Sequence, residues 1–170
     1  LFRSEGYFGD KRWDYYRLRA EGQNVLALNP AAGMGQIITA QTTIEDIVSK
    51  PQGAIGVLDL SNAFADSARN VTRAFRMDDN RRRIVMQDEM DLKGPTEVFW
   101  NMHTKADVEI MEDGKTAMLS LGQKKLWMAL DTNIPGANFR VMDAVPLPTS
   151  PHPAGQNENK GIRKIVVDEK

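Results

Sequence analysis

At 170 residues the chain has room for one domain, or two very small ones, and can bury a real core. Lys and Arg total 22 against 23 Asp and Glu, so a formal charge of −1 recruits no nucleic acid, anionic membrane or acidic polymer by bulk attraction. The absence of cysteine excludes disulfide staples, a thiolate nucleophile and Cys-ligated zinc. The longest apolar runs are a few residues, too short for a membrane span. A composition of 41 % hydrophobic and 26 % charged residues is that of globular material. The chain starts at Leu1 with no charged-then-apolar leader and already reads as mid-strand, so it is expected to be a piece of something longer.

Aromatic residues crowd the beginning. Of twelve Phe, Trp and Tyr, six lie in the first sixteen positions: Phe2, Tyr7, Phe8, Trp13, Tyr15 and Tyr16. Trp13 to Arg19 alternates as a strand would, with Trp13, Tyr15, Arg17 and Arg19 on one face and Asp14, Tyr16 and Leu18 on the other. A turn at Glu21-Gly22-Gln23-Asn24 precedes the apolar Val25 to Leu28. Gln36 to Ile44 and Ala54 to Leu60 are further strand candidates bounded by Gly and Pro. Leu60 to Ala68 has a brief helical look, with Asp59 or Ser61 able to cap it. Asn70 to Met77 places Val71, Arg73, Phe75 and Met77 on one face, and Arg82 to Met90 does the same with Ile84, Met86, Asp88 and Met90.

Val98, Trp100 and Met102 share a face of the next strand, after a turn at Lys93-Gly94-Pro95. Asp113-Gly114, between Val108-Glu109-Ile110 and Thr116 to Leu119, has the spacing and chemistry of a hairpin. Lys125 to Leu130, Phe139 to Met142 and Ile162 to Val167 complete the strands. Between the last two, Pro146 to Gly161 holds four of the eight prolines and reads as a functional lip or a surface-hugging crossover. Turn signals about every eight to twelve residues predict an antiparallel all-β fold. The expectation is one β-sandwich domain over residues 1–170, with one short helix at about 60–68.

Little in the chain spells catalysis. His103 and His152 have no second histidine at metal-ligand spacing, so no metal site is expected. Asp88 and Glu89 point to opposite faces of one strand and cannot flank a glycosidic bond. Asp88, beside Ile84 and Met86, is expected half-buried and paired with Arg76 or Arg82. Arg81-Arg82-Arg83 reads as a solvated strand start, and Gly33-Met34-Gly35 lacks the strand-to-helix setting of a phosphate loop. Trp13, Tyr15, Arg17 and Arg19 are the suggestive set. Aromatic faces stack on sugar rings and an Arg fork grips carboxylate or sulfate, while the competing reading is a core face with snorkelling arginines.

Gly6 to Gly9, then Asp14-Tyr15-Tyr16-Arg17-Leu18-Arg19-Ala20-Glu21-Gly22-Gln23-Asn24 running on to Asn29-Pro30, resembles the C-terminal β-rich region of the heparinase II/III-like polysaccharide lyases. Gln87-Asp88-Glu89, Trp100-Asn101-Met102-His103-Thr104 and Gln156-Asn157-Glu158-Asn159 continue the resemblance in order. It implies an antiparallel, supersandwich-like β-sandwich, the C-terminal fragment of a secreted or periplasmic enzyme. The partners implied are a helical toroid upstream in the same polypeptide and an acidic, uronate-containing polysaccharide such as a glycosaminoglycan. Such enzymes cleave by β-elimination: the uronate carboxylate is neutralised, a base removes the C5 proton and the 4-linked oxygen leaves, Tyr and His commonly acting as base and acid. The resemblance implies that the toroid supplies the tyrosine and that the sandwich's own His-x-His and Asp signature lies just upstream of Leu1, so the isolated chain is expected to be inactive and to contribute no catalytic residue. Some relatives bind zinc, but Gln23 stands where the family has the histidine ligand, so no cofactor is carried over. Trp13, Tyr15, Arg17, Arg19, Gln23 and Asn24 remain as candidate substrate-binding residues at the seam with the toroid. The alternative is a free-standing carbohydrate-binding or structural sandwich.

Overall fold

The computed structural model describes residues 8–169; Phe2, Gly6 and Tyr7 of the aromatic N-terminal stretch lie outside the described residues. Among these, eleven strands form: β1 Leu26–Leu28, β2 Thr43–Lys50, β3 Gly53–Asp59, β4 Ala68–Asp78, β5 Arg83–Leu92, β6 Val98–Thr104, β7 Asp107–Ile110, β8 Thr116–Leu121, β9 Lys124–Ala129, β10 Phe139–Asp143 and β11 Arg163–Glu169. Every pairing is antiparallel, and no α-helix occurs among the described residues, so the fold is all-β as the turn rhythm predicts. The chain divides into two compact units: residues up to Gly35 together with Glu97 onward, and the intervening Gln36–Thr96.

The first unit is a two-layer sandwich. Its four-stranded sheet runs β1-β6-β11-β10 and its three-stranded sheet β7-β8-β9. Alternation along β6 sends Trp100 and Met102 to one face, where they pack with Ile165, Val167 and Phe139 against Ala117, Leu119, Val108 and Met128 of the smaller sheet. The opposite face of β6 carries Phe99, Asn101 and His103, in register with Asp168, Val166 and Lys164 of β11. This second face is covered by the 11–24 segment and the proline-rich loop: Ala20, Ala27, Phe99 and Val166 form its apolar patch, with Val25, Met142 and Leu147 packed on it. The β7–β8 hairpin turns as expected, with Gly114 at φ 66° and Asp113 Oδ1 accepting from the amides of Lys115 and Thr116 at 2.9 and 2.8 Å.

The 11–24 segment is not the strand that its alternation suggests. It is three successive 3-10 turns, Arg12–Asp14, Tyr16–Leu18 and Ala20–Gly22, separated by extended residues Tyr15 and Arg19. Amides close onto carbonyls three residues back, as in Leu18 to Tyr15, Arg19 to Tyr16 and Gly22 to Arg19, so no ladder partner is needed. The unit repeats every four residues, burying Tyr15 with Tyr16 and Arg19 with Ala20 while Arg17 faces water. A period of four splits the four residues into two pairs: Tyr15 and Arg19, both buried, and Trp13 and Arg17, half-buried and exposed. The proposed single face of Trp13, Tyr15, Arg17 and Arg19 therefore does not exist.

The second unit is one four-stranded sheet in the order β2-β3-β4-β5. The faces of β4 and β5 follow the sequence alternation, with Phe75 opposite Met86 and Met77 opposite Ile84. Asp88 is indeed mostly buried, but it pairs with neither Arg76 nor Arg82. Arg73, directly across the ladder, takes both its oxygens at 2.5 and 2.8 Å. The register decides this: Arg76 opposes Val85 and bonds Asp78, while Arg82 sits in the turn and bonds Asp79. That turn places Asp79, Asn80 and Arg81 at positive φ, and Arg81 is latched to Ser49 Oγ and Lys50 O.

Strand β2 begins only at Thr43, and Gln36 to Thr42 is irregular. A bulge between Ile44 and Asp46 puts Ile44 and Ile47 on one face three residues apart, a spacing that does not read as a strand. The short helix expected at about 60–68 is a single 3-10 turn, Ser61–Phe64, entered through an Asp59 carboxylate that accepts from the Ser61 amide at 2.9 Å. Ser61 Oγ in turn accepts from the Val71 amide, tying the turn to β4.

Candidate functional site

Three distant stretches meet on the second face of the first unit's larger sheet. Tyr16, from the middle 3-10 turn, is 2 % exposed and donates its hydroxyl to His103 Nε2 at 2.6 Å. Asn24 Oδ1 accepts from the His103 backbone amide at 2.7 Å, which fixes the direction of the carboxamide. The His103 Nδ1, 3.2 Å from that same oxygen, must therefore carry the ring proton, leaving Nε2 bare to accept from Tyr16. The two rings meet edge to face at 5.8 Å. Gln156, in the proline-rich loop, accepts from the Tyr16 amide at 2.6 Å, and Asn159 accepts from Arg17 Nε at 2.8 Å. Gln23 donates its carboxamide to the Arg17 carbonyl.

Charged groups are buried beneath this rim. Glu21 is 1 % exposed, with one oxygen on Arg19 Nε at 2.9 Å and the other on the Leu147 amide at 2.8 Å. Arg19 also donates to Gly33 O at 2.6 Å. Lys164, fully buried on β11, donates to Val145 O at 3.2 Å and lies 5.2 Å from the Tyr16 ring and 5.5 Å from the Phe99 ring. Burial lowers the Lys164 ammonium below its ordinary range, against the pull of Glu21. Burial, then the Lys164 charge, lowers His103 as well, which favours the neutral imidazole. Burial, then Glu21, raises the Tyr16 phenol, so it stays protonated as a donor.

The six candidate residues thus divide. Tyr15 and Arg19 are buried and serve the packing of the segment. Trp13 is half-buried with the Arg12 guanidinium 4.8 Å over its ring. Arg17, Gln23 and Asn24 are exposed. Arg17 is the most available: its Nε is held by Asn159, while its two Nη groups have no partner among the described residues. Asn24, itself exposed, commits its oxygen to His103. Tyr16, Glu21, His103 and Lys164 are absent from the sequence-based set; the Tyr16–His103 and Glu21–Leu147 contacts span 87 and 126 residues and leave no local spacing to read.

The chemistry available here is hydrogen-bond donation and anion binding. Both ring nitrogens of His103 are engaged, Nε2 by the Tyr16 hydroxyl and Nδ1 by Asn24 Oδ1, and Tyr16 is buried. Gln23 directs its amide nitrogen at a carbonyl, and among the described residues no group of three or more His, Cys, Asp or Glu is placed to hold a metal ion. Also among the described residues, no helix is long and apolar enough to cross a membrane. Compared with known proteins, the chain matches no family model and no curated protein.

Proposed function

We propose that this chain is the β-sandwich portion of a heparinase II/III-like polysaccharide lyase, a secreted or periplasmic enzyme. In this reading it adjoins a helical toroid of the same polypeptide and meets an acidic, uronate-containing polysaccharide along residues 12–24. One observation carries the reading. The separate stretches on which the resemblance rests, Tyr15 to Asn24, Trp100 to Thr104 and Gln156 to Asn159, join in one hydrogen-bonded network. Arg17, pinned at Nε by Asn159, directs a pre-set fork outward, the geometry that grips a carboxylate bidentately. Trp13 and the Asn24 amide flank it in the same segment.

Incubation with heparin, heparan sulfate and alginate tests the reading. The chain by itself should bind an acidic polymer and release no unsaturated product by ultraviolet absorbance. Arg17→Ala and Trp13→Ala should weaken that binding. Turnover by the isolated chain refutes the non-catalytic assignment, and binding unchanged in both variants refutes the contact surface.

A further inference from the structure

The outer face of the β7-β8-β9 sheet carries a second arrangement suited to sugar, remote in sequence from the 12–24 segment. On β9, Met128 packs toward the core opposite Ala117, while Leu126, opposite Leu119, shares that side of the strand but is 55 % exposed. The other face therefore presents Lys125, Trp127 and Ala129, all exposed, with Trp127 60 % exposed. A lone exposed apolar residue is ordinary on a protein surface. The neighbours make this one informative.

Across the ladder, Met118 opposes Trp127, Ser120 opposes Lys125 and Thr116 opposes Ala129. The indole thus has one tall apolar neighbour, a methyl-sized one on the side of Ala129, and hydroxyls of Ser120 and Thr116 one strand away. Among the described residues strand β9 pairs only with β8, so there the side away from Met118 is an open edge. Lys125, two residues from Trp127 on the same face, lies about 7 Å along the strand. Of the nearby acidic side chains, Asp107 and Glu109 are on β7, two strands from Trp127, with Asp107 3.6 Å from Arg163, and Asp113 in the β7–β8 turn is held by Thr116 Oγ1 at 2.8 Å. The β9 edge is therefore aromatic and cationic, and the β7 edge acidic.

We infer that Trp127 and Lys125 form a second binding site for an acidic oligosaccharide. The C–H face of one sugar ring stacks on the indole π-face, whose negative quadrupole meets the positive hydrogens. The carboxylate of the adjoining residue meets the Lys125 ammonium, with Ser120 in reach of a hydroxyl; the Thr116 hydroxyl is committed to Asp113. The acidic charge of the ligand is taken from the proposed function above; the stacking platform stands on its own geometry.

The test is titration of the chain with alginate oligosaccharides, and with cello-oligosaccharides of equal length, followed through the indole N–H resonances and by calorimetry. The alginate oligomer should shift the Trp127 resonance, and Trp127→Ala should weaken that binding about tenfold. Lys125→Gln should weaken it less and flatten its salt dependence. Both residues are exposed, and unchanged thermal unfolding verifies that the variants fold. A Trp127 resonance that does not move, or equal binding of the neutral oligomer with no effect of Lys125→Gln, overturns the site. Binding abolished by Arg17→Ala and untouched by Trp127→Ala overturns this site and leaves the proposed function standing. Binding lost in Trp127→Ala and kept in Arg17→Ala supports this site and defeats the 12–24 contact surface.

Discussion

Replacing Tyr16 by Phe removes one hydroxyl from the network and leaves the ring in place. The ring keeps its packing and its position beneath the Lys164 ammonium, 5.2 Å away, so no cavity forms. What is lost is the 2.6 Å bond to His103 Nε2. A neutral hydrogen bond contributes about 1 kcal/mol net, and leaving the half-buried Nε2 without a donor adds to that, giving about 1.5 kcal/mol. At a urea slope of about 2 kcal/mol/M, the unfolding midpoint should fall by about 0.75 M. The probe is specific, because Trp13, Trp100 and Trp127 all belong to the first unit and intrinsic Trp fluorescence is silent for Gln36–Thr96. The pH dependence supplies a second signature. His103 is lowered in the folded chain, so its contribution is present above 6.5 and is lost as pH falls from 6.5 toward its folded value. Without the Tyr16 donor the neutral ring is less favoured, and the His103 value should rise toward the ordinary one. The acid limb of the stability curve then becomes shallower, and the penalty of Tyr16→Phe is smaller at pH 5 than at pH 8. Equal midpoints for the two proteins at pH 8, or an unmoved His103 titration by NMR, refute the assignment of Tyr16 as the group that holds His103.

The same network and the Arg73–Asp88 pair give three further expectations. A Cβ at Gly22 would lie 2.0 Å from the Tyr16 carbonyl oxygen, a backbone clash that cannot be relieved by a rotamer, so Gly22→Ala should disrupt the turn and the Tyr16–His103 bond together, read as loss of the shifted His103 resonances. Lys164→Met keeps a chain of similar length and removes a buried cation. Since Lys164 is lowered on folding, stability in the native protein rises with pH up to 10.5, and Lys164→Met should abolish that rise and raise the His103 value, both visible in urea unfolding and NMR. Asp88→Asn strands a guanidinium that is 6 % exposed and should cost about 3 kcal/mol, measured by amide exchange in β3 to β5, whereas Arg73→Met with Asp88→Leu should recover most of it.

The sheet architecture was legible because alternation is local. Ile84, Met86, Asp88 and Met90 share a face in the structure as they do in the sequence, and the Asp113-Gly114 hairpin pairs Ile110 with Ala117. Two features were not. Ile44 and Ile47 share a face only through a bulge, and a bulge breaks the periodicity that reveals strands. Residues 12–22 alternate well enough for a strand, yet most of their amides close locally, the Tyr16 amide goes to Gln156, and the Arg17 and Tyr16 side chains find Asn159 and His103. Those partners lie 87 to 142 residues away, and nothing in a local window records them. The partner of Asp88 failed for a related reason: the face was right, and the register that selects Arg73 over Arg76 depends on where the turn closes.

A run of 3-10 turns has poorer hydrogen-bond geometry than a ladder and is ordinarily short. Three in succession need side chains to hold them, and the residues that do so here are the buried polar ones: Arg19 on Glu21 and Gly33, Glu21 on Leu147, Tyr16 on His103. A buried group that loses one partner is penalised far more than an exposed one. Tyr16, Arg19 and Glu21 are therefore committed to the segment's shape and cannot also turn toward a ligand. That constraint narrows the polar groups of the proposed contact surface to those the scaffold leaves open beside Trp13: the Nη fork of Arg17 and the amide of Asn24, each fixed at its inner end by Asn159 or His103. Pre-fixed donors lose less freedom on binding, so their selectivity should follow the geometry of the anion more than its charge. A flat carboxylate that accepts the fork in two places should then be bound more tightly than a sulfate of equal charge, and Arg17→Lys, which keeps the charge and loses the fork, should erase the difference.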